Sequence, residues 1–382
     1  MGVTAEVLVI GGGPAGAAAA AHLAEAGKQV VVIERTPGPH DKVCGEFISH
    51  ETALYLAALG IDVAALGAEP IEAVRLCAGE VIAATPLPFA AHSLSRRVLD
   101  EAVLQCAMAC GAVVRRGFRV QELTQDLKQA GGGWQARLDD GERITSEAVF
   151  LATGKHDLRG WRRPPGPQPD LVAFKMHWRL APGEAVALAR HVEISLFPGG
   201  YAGLEPIEGG KANLCLLVRQ RRFAELGRSW PRLIAAIQAA SPLLDRRLSG
   251  AIPCMPRPLA LASIPYGYLL ATSEGMFRLG DQAAVIPSFA GDGMAIALHS
   301  ACLAARCHLG GHGTAEYRRR LVRDIALGVR LADLLSRSLV RRNGQRILAS
   351  AARMQPRLMA LIARATRVPQ AALRRAGLDP LP

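Results

Sequence analysis

The chain has 382 residues, half of them hydrophobic and a fifth charged, with a formal net charge of +12. This length predicts more than one domain. No apolar run reaches the roughly 18 residues of a membrane span, and the chain opens on a strand without a basic leader, so we expect a cytoplasmic protein. Eight scattered cysteines without a CxxC pair fit reduced thiols better than a disulfide framework.

The first predicted elements, over residues 6–35, are a strand, a glycine-rich turn, a helix and a second strand. Gly11, Gly13 and Gly16 follow the buried strand VLVI with G-x-G-x-x-G spacing. The first glycine allows a tight turn, the second lets a pyrophosphate approach the backbone, and the third lets helix and strand pack closely. The second strand ends at Glu34, whose carboxylate can accept a hydrogen bond from a ribose hydroxyl. This unit predicts a dinucleotide-binding site.

The middle of the chain leaves this first domain and returns to it. Residues 71–88 predict a hairpin of a second domain, and the next segment returns to the first domain with a glycine turn at 131–133. After a proline-rich crossover, residues 171–180 alternate strictly and predict a strand. One face of this strand carries Lys175 and His177. Two interpretations of that face stay open: it looks at the bound dinucleotide, or it is exposed to solvent.

A second glycine-rich helix entrance reads GDQAAVIPSFAGDGM at 280–294. Asp281, at a strand end, can accept hydrogen bonds from the hydroxyls of a long cofactor. Gly291 and Gly293 let backbone N–H groups of a helix N-terminus approach that cofactor. A flavin dinucleotide needs contacts at both of its ends, so two such entrances in one chain favour FAD.

The C-terminal region, residues 313–382, carries fifteen arginines and four acidic residues, an excess of eleven positive charges. A basic region of this kind is typical of proteins that bind an anionic partner. Two interpretations stay open: helices packed on the body with a solvated arginine face, or contact with a membrane surface or an amphiphilic substrate. Nucleic acid is disfavoured, because no stacking aromatic residues alternate with the arginines.

The order of several motifs resembles that of a flavoprotein group that contains p-hydroxybenzoate-hydroxylase-like monooxygenases, flavin halogenases and geranylgeranyl reductases. The motifs, which span roughly residues 5–312, are GGGPAG at 11–16, Glu34–Arg35, SLSRRVLDEAVL at 93–104, LATG at 151–154 and RLGDQAAVIPSFAGDGMAIALHSA at 278–301. A finer resemblance is to flavoprotein hydroxylases encoded beside bacterial type III polyketide synthases. It is carried by KVCGEFIS, LATGKHDLRG, FPGGYAGLEPI and IPYGYL.

The resemblance implies an α/β fold with three parts. These are a Rossmann-like FAD-binding domain of the GR2, p-hydroxybenzoate-hydroxylase-like type, an inserted antiparallel β-sheet substrate domain, and a C-terminal helical tail. The FAD-binding domain is then discontinuous. The expected boundaries are 1–70, 92–160 and 276–312 for the FAD-binding domain, 71–91 and 165–275 for the substrate domain, and 313–382 for the basic helical region.

The resemblance also implies the contacts of FAD. Arg96, at the start of the SRxxLD helix, contacts the cofactor, Asp281 contacts the ribityl chain, and Pro287, Gly291 and Gly293 border the ring. The full set of expected cofactor-binding residues is Gly11, Gly13, Pro14, Ala15, Gly16, Glu34, Arg35, Cys44, Gly45, Arg96, Val120, Thr153, Gly154, Asp281, Pro287, Gly291, Asp292, Gly293 and Met294.

Three residues are candidates for chemistry. The resemblance implies that Cys44 lies near the isoalloxazine and lines the active site; alternatively it is a small residue that shapes its loop. His177 can deprotonate a phenol if its strand face looks at the flavin. Tyr201 is either a hydrogen-bond donor of the substrate pocket or a structural turn residue. We expect no metal site.

The resemblance implies an FAD-dependent oxidoreductase, first of all an NAD(P)H-dependent monooxygenase. It would act through a C4a-hydroperoxyflavin, with O₂, on an aromatic or phenolic substrate such as a polyketide lipid. The alternative is a geranylgeranyl-reductase-like enzyme that reduces carbon–carbon double bonds in a lipid. LATGKHDLRG lacks the DG pair that aromatic hydroxylases of the group use for FAD and NADPH, and the halogenase motif W-x-W-x-I-P is absent. The partners expected are a small aromatic or lipid substrate, no nucleic acid, and peripheral contact of the basic region with the inner membrane surface.

Overall fold

The computed structural model describes residues 3–126 and 133–378. The glycine turn expected at 131–133 lies almost wholly outside the described residues, as do the last four residues of the basic region. Within the described ranges the strands are β1 Val3–Ile10, β2 Val30–Glu34, β3 Phe47–Ile48, β4 Glu69–Ala78, β5 Val81–Ser93, β6 Val113–Arg116, β7 Val120–Asp126, β8 Gly133–Leu138, β9 Arg143–Leu151, β10 Leu171–Arg179, β11 His191–Phe197, β12 Gly200–Ile207, β13 Lys211–Arg219, β14 Ile252–Pro253, β15 Leu259–Ala262 and β16 Phe277–Arg278.

Helices cover the sheets and form the whole C-terminal region as described. The α-helices are α1 Pro14–Glu25, α2 His50–Ala58, α3 Arg96–Ala109, α4 Pro182–Leu188, α5 Gln220–Glu225, α6 Trp230–Ala240, α7 Pro242–Leu248, α8 Gly293–Leu309, α9 Thr314–Leu339, α10 Arg342–Met354, α11 Pro356–Ala365 and α12 Gln370–Arg375. Two short 3-10 helices, Gly280–Gln282 and Ser288–Ala290, stand just before α8.

The first sheet has the strand order β6-β2-β1-β9-β8-β7, with β16 beside β9. β1 pairs in parallel with β2 and with β9, and β16 pairs in parallel with β9. Every residue of β2 is buried, as expected for a parallel strand that is covered on both faces. The core on one face joins residues of β1 and β2 to α1, α3, α8 and α9. The carboxyl ends of β1, β2 and β9 therefore meet at one edge, where the first glycine turn lies.

The second sheet has the order β14-β10-β13-β12-β11-β4-β5-β3, with β15 beside β10. Its neighbouring strands are antiparallel except for β11 and β4, which are parallel. This exception arises because β4 and β5 belong to an earlier excursion of the chain, before α3 returns to the first domain. On one face Phe174 and Leu214 share a core with Ile237 of α6 and with α7. The other face, with Tyr201 and Leu217, packs toward α9 and α10.

Lys175 and His177 are buried, so the interpretation of their strand face as a solvent-exposed stripe is wrong. Lys175 is 0% exposed and His177 5% exposed. The alternating pattern of β10 correctly predicted a strand, but it could not show that both faces of that strand are buried. One face meets the helices α6 and α7, and the face with Lys175 and His177 meets the loop at residues 41–47.

The C-terminal helices pack on the body and also present arginines. On α9, the inward positions Tyr317, Leu321, Ile325 and Val329 join the main core. The outward positions form a stripe at helical spacing, Arg323, Leu327, Arg330, Leu334 and Arg337, all exposed. Over the described residues, none of the helices combines the length and apolar character that crossing a bilayer requires.

Candidate active site

The first glycine turn has the geometry that its three glycines require. Gly11 has φ +109°, a left-handed conformation that glycine adopts without strain. A Cβ on Gly16 would lie 1.9 Å from the carbonyl oxygen of Gly11, so helix α1 approaches β1 too closely for any side chain. A Cβ on Gly13 would meet nothing nearer than the Lys42 ammonium at 3.7 Å and the Arg96 guanidinium at 4.0 Å. Gly13 therefore leaves its backbone open beside two cations.

Glu34, at the end of β2, is fixed by backbone N–H groups. Gly12 N–H donates to Oε2 at 2.8 Å and Thr36 N–H donates to Oε1 at 2.9 Å. Burial of the side chain opposes its charge, but the hydrogen bond from Thr36 and the charge of Lys42 hold the Glu34 pKa below its ordinary value. The carboxylate is thus charged and rigid at the place where a ribose hydroxyl would meet it.

A cavity of about 860 Å³ extends from this turn along the carboxyl edge of the first sheet to the second glycine entrance. Most of the residues expected to bind the cofactor lie in its wall. These are Gly11, Gly13, Pro14, Ala15, Glu34, Arg35, Cys44, Gly45, Arg96, Val120, Thr153, Gly154, Asp281, Gly291, Gly293 and Met294. Gly16, Pro287 and Asp292 lie outside the wall. Gly16 is occupied with helix packing, and Asp292 points to the C-terminal region.

A basic cluster stands where the first glycine turn opens on the cavity. The Arg96 guanidinium donates two hydrogen bonds to Asp100, at 2.6 and 2.9 Å, and Lys42 donates one at 2.8 Å. Burial opposes ionisation of Asp100, but Arg96 and Lys42 lower its pKa. One carboxylate thus orients two cations beside the N-terminus of α1. Together they form an anion site of the kind that a pyrophosphate occupies.

The loop at 41–47 reaches between the two domains and is held by Glu46. Glu46 is fully buried and has φ +66°, a conformation that costs a non-glycine residue free energy and marks a site fixed by its surroundings. Its carboxylate accepts hydrogen bonds from Lys175, from His177 Nε2 at 2.9 Å, and from the backbone N–H of Arg96 at 2.7 Å. Burial opposes the charge, yet His177 and Lys175 lower the Glu46 pKa. The loop is therefore pinned to the second sheet by a buried ion pair.

Asn213 holds the same loop two residues earlier. Its side-chain N–H₂ donates to the carbonyl oxygens of Cys44 and Gly45, at 3.1 and 2.9 Å. Asn213 is the register partner of His177 on the neighbouring strand. Cys44 and Gly45 are consequently held at the cavity through their backbone carbonyl oxygens, and both residues belong to its wall.

His177 itself is not among the wall residues of this cavity or of the second cavity described below. It sits beneath the loop, with Asp41 and Glu46 around it. The three could hold a metal ion by distance, but the Lys175 ammonium contacts both carboxylates. Lysine already supplies the positive charge there. The contacts of His177 are thus with the loop, and its predicted role as a base in contact with substrate gains no support from the cavity walls.

A second cavity, of about 200 Å³, adjoins the first and is almost entirely apolar. The two share four wall residues: Gly45, Phe47, Ser288 and Gly291. The rest of its wall comes from the second sheet, from helices α9, α10 and α11, and from Phe289, Ala290, Thr366 and Arg367. The wall residues of the sheet include Val74, Leu76, Val192, Ile194, Tyr201, Gly203, Glu205, Cys215 and Leu217, and those of the helices include Leu335, Leu339, Leu348, Ala352, Leu358, Met359, Ile362 and Ala363.

Two tyrosines fix the junction between the cavities. The Tyr201 hydroxyl accepts a hydrogen bond from the Phe289 N–H at 3.2 Å. The Tyr266 hydroxyl and Ser288 Oγ are 2.6 Å apart. Tyr201 lies in the apolar wall with its ring at right angles to Phe289. Both tyrosines thus hold the 3-10 turn before the second glycine entrance.

Arg367, near the end of the chain, reaches the second glycine entrance. Its guanidinium donates to the carbonyl oxygen of Ala290 at 2.8 Å and to Asp292 Oδ1 at 3.2 Å, and it stacks over the Phe89 ring at 4.7 Å. Burial raises the Asp292 pKa to about 7, and Arg367 opposes that effect. Asp292 therefore joins the C-terminal region to the second glycine entrance and is not in the wall of the cofactor cavity.

Sequence reasoning missed four residues of this site: Glu46, Asn213, Glu205 and Arg367. Because side chains alternate between the two faces of a strand, Glu205 lies on the same face of β12 as Tyr201. The sequence pattern could therefore have predicted Glu205 as a site residue. Glu46 and Asn213 carry no local signal. Arg367 is 75 residues from Asp292, and only the packed fold brings the two together.

Comparison with known proteins agrees with this geometry. Residues 4–156 match the FAD binding domain family. Over 370 residues the chain is 25% identical to a menaquinone reductase of Mycolicibacterium smegmatis, with 88% of this chain and 86% of that protein covered. The myxobacterial halogenase CndH has a TM-score of 0.76 at 17% identity, covering 98% of this chain and 96% of that one.

A further solved structure is PqsL of Pseudomonas aeruginosa, described as a probable FAD-dependent monooxygenase. Its TM-score is 0.68 at 18% identity, with 94% of this chain and 99% of that chain covered. These similarities confirm the predicted α/β fold, with its FAD-binding domain and C-terminal helical region. The site also fits FAD, since the Gly13 backbone, the two cations and Glu34 suit its adenosine and pyrophosphate, and Asp281 and the second glycine entrance stand at the other end of one continuous cavity.

Proposed function

We propose that the chain is an FAD-dependent oxidoreductase acting on a lipid-like substrate, as the match of residues 4–156 to the FAD binding domain family supports. The observation that carries this proposal is the meeting of the two cavities. Gly45, Phe47, Ser288 and Gly291 line both of them. A substrate in the apolar cavity would therefore adjoin the end of the cofactor cavity that lies against the second glycine entrance.

The reaction we propose is reduction, in which a bond of the lipid, such as a carbon–carbon double bond, gains two hydrogens. Bound FAD would supply the exchange of two electrons that this chemistry needs. The apolar wall favours reduction because, among its described residues, none offers a base in the ionised state. His177 and Lys175 lie outside it, and burial keeps the Glu205 pKa high. A phenol that must be deprotonated finds no acceptor there.

Hydroxylation of a phenolic lipid is the second candidate. The stretches FPGGYAGLEPI and IPYGYL, which resemble hydroxylases linked to polyketide synthesis, converge on the junction of the cavities. They contribute Tyr201 and Tyr266, whose hydroxyls contact Phe289 and Ser288. This convergence supports a role of both stretches in shaping the site, whichever reaction takes place.

The protein's own residues position the reactants. Glu46, through Lys175 and His177, would hold the loop that carries Cys44 and Gly45 at the junction. Arg367 would hold the turn on the opposite side. The apolar wall would exclude water from the reacting atoms, which strengthens every polar interaction within the site.

We further propose NAD(P)H as the reductant. The rim of the cofactor cavity carries the cationic side chains of Arg35, Arg119, Lys155 and Arg159. Burial, and then the charges of Arg35 and Arg163, lower the His156 pKa. A cationic rim of this kind suits the phosphates of a second dinucleotide.

We also propose that the basic C-terminal region meets an anionic membrane surface. Helix α11 faces both ways: Met359 and Ile362 line the apolar cavity, whereas Leu361 is 62% exposed. Arg357 and Arg364 flank Leu361 on the exposed side. Leu358 belongs to the cavity wall and is 39% exposed. A lipid could thus pass from a bilayer to the cavity past this helix.

The test of the reaction uses the FAD-loaded protein with NADPH or NADH and two lipids, an isoprenoid quinone and an alkylresorcinol. Reaction in the absence of O₂ that adds two hydrogens to the quinone lipid supports reduction. Incorporation of one atom from ¹⁸O₂ into the resorcinol lipid supports hydroxylation instead. Oxidation of NAD(P)H that is unaffected by either lipid would reject a lipid-like substrate.

A further inference from the structure

One carboxyl group faces the apolar cavity among its described wall residues, that of Glu205. The residue is 3% exposed. Its neighbours along β12 on the same face are Gly203 and Tyr201, which also belong to the wall. Apolar side chains account for most of the rest of the surface. A polar group at this position is costly unless it has a partner.

The Glu205 carboxyl has an unused polar atom. Within residues 3–126 and 133–378, no hydrogen-bond partner contacts Oε1. On the next strand Asn213 is the register partner of Glu205, and its side-chain oxygen likewise has no partner in that part of the chain. The side-chain N–H₂ group of Asn213 donates its hydrogen bonds to the carbonyl oxygens of Cys44 and Gly45. The position of Glu205 near the loop at 41–47 places its carboxyl close to the junction of the two cavities.

Burial favours the protonated form of this carboxyl group. It raises the Glu205 pKa well above the ordinary value of 4.5, and the nearby Glu46 carboxylate raises it further, whereas Asn213 and Lys175 act in the opposite direction. A protonated carboxyl group has an O–H donor as well as acceptor oxygens. The Glu205 carboxyl therefore adds to the apolar wall a donor that can meet an oxygen atom of a bound molecule.

We propose that Glu205 recognises the substrate's oxygen function, by donating a hydrogen bond from its carboxyl group to that oxygen inside the apolar cavity. This inference rests on the proposed function and deepens it. The ligand class is an apolar lipid whose head carries a carbonyl or hydroxyl oxygen. A hydrocarbon of the same shape fills the cavity but leaves the Glu205 hydroxyl without a ligand partner, and so binds less tightly.

The experiment measures binding by calorimetry with the FAD-loaded, oxidised protein and no reductant. The probes are a 2-methyl-1,4-naphthoquinone with a short isoprenoid chain and the matching methylnaphthalene with the same chain. The variants are Glu205→Leu, which removes the donor, and Glu205→Gln, which keeps an N–H donor of similar shape. Cys77→Ala, buried on β4 of the same sheet and outside the walls of both cavities, is the matched control. FAD content and circular dichroism verify that each variant is folded.

We expect Glu205→Leu to weaken quinone binding about tenfold, the loss of one hydrogen bond in a site without water, with no loss of hydrocarbon binding. Glu205→Gln should retain part of the quinone affinity, and Cys77→Ala all of it. Infrared difference spectra give an independent measure. The carboxylic C=O band of the wild-type protein should shift when quinone binds, and Glu205→Gln should lack that band.

Two failures are distinguishable. If the wild-type protein binds both probes, Glu205→Leu preserves the preference for quinone and the infrared band does not move, then Glu205 serves only an internal contact with Asn213 and this inference is overturned. The proposed lipid site would stand in that case. If the wild-type protein binds neither probe, the apolar cavity is not a lipid site, and the proposed function falls together with the inference.

Discussion

Replacing Lys175 with methionine tests the buried ion pair under the loop at 41–47. Lys175→Met keeps the length of the side chain and removes its charge. Both side chains of the pair, Lys175 and Glu46, are 0% exposed. Removing one partner of such a pair typically costs about 3–5 kcal/mol, because the other charge stays buried without compensation. Glu46 would keep its hydrogen bonds from His177 and from the Arg96 N–H, so we expect about 3 kcal/mol, the lower end of this range.

The assay is urea unfolding followed by tryptophan fluorescence, which reports on the second sheet through Trp178 of β10 and Trp230 of α6. The matched variants are Glu46→Gln alone and Glu46→Gln combined with Lys175→Met. The double variant leaves no unpaired charge in the pair. Its loss in free energy of unfolding should therefore be smaller than the sum of the two single losses by at least about 1.5 kcal/mol. FAD affinity should fall in Lys175→Met, since the loop carries Cys44 and Gly45 in the cavity wall.

The pH dependence gives a second check on this pair. Burial opposes ionisation of Glu46, but His177 and Lys175 lower its folded-state pKa below the ordinary 4.5. A carboxylate with a lowered pKa contributes stability above its unfolded pKa and loses that contribution as the pH falls through the folded value. The penalty of Lys175→Met should therefore be full above pH 4.5 and shrink below it. A change under about 0.5 kcal/mol at pH 7, or strict additivity in the double variant, would refute a charged, coupled pair.

Three further outcomes are expected. Gly16→Ala should abolish stable FAD binding and lower the melting temperature, because its Cβ would overlap the Gly11 carbonyl oxygen at 1.9 Å. Gly13→Ala is the matched comparison, since its Cβ would have no contact nearer than 3.7 Å. It should weaken FAD binding while the apoprotein keeps its melting temperature. Arg367→Met should destabilise the protein by about 2–4 kcal/mol in urea unfolding, because it leaves buried Asp292 without its cation. Adding Asp292→Asn to this variant should restore part of the lost stability. Equal stability of Arg367→Met and the wild-type protein would contradict this contact. Arg364→Gln should reduce binding to vesicles with anionic phospholipid by about fivefold in sedimentation, near 1 kcal/mol for one arginine at the surface, with no change for zwitterionic vesicles; equal binding to both vesicle types by the wild-type protein would contradict an electrostatic contact.

The parts of the fold that depend on local requirements could be predicted from the sequence. The glycine turn at 11–16 is one of them, since Gly16 packs against the Gly11 carbonyl oxygen five residues earlier. The strand over 171–180 was also predictable as a strand. Which of its faces is buried was not, because both faces are covered, one by α6 and α7 and the other by a loop from a different domain.

The candidate site was harder to predict for the same physical reason. His177 looked like a base because histidine titrates near neutral pH, but its surroundings are set by Glu46, which comes from the loop at 41–47. Arg367 is one of the arginines of the basic C-terminal region, and its sequence position does not distinguish it from the others. The pattern of a helix cannot show which arginine turns inward to a carboxylate 75 residues away.

The contact between Arg367 and the second glycine entrance also bears on the order in which the protein is made. The entrance precedes Arg367 by 75 residues, so the first glycine turn, both sheets and α8 leave the ribosome before their last contact exists. During this interval Asp292 has no guanidinium partner, and the wall of the apolar cavity lacks α10 and α11. The cofactor cavity can thus form early in synthesis, whereas the substrate cavity closes only when nearly the whole chain is available.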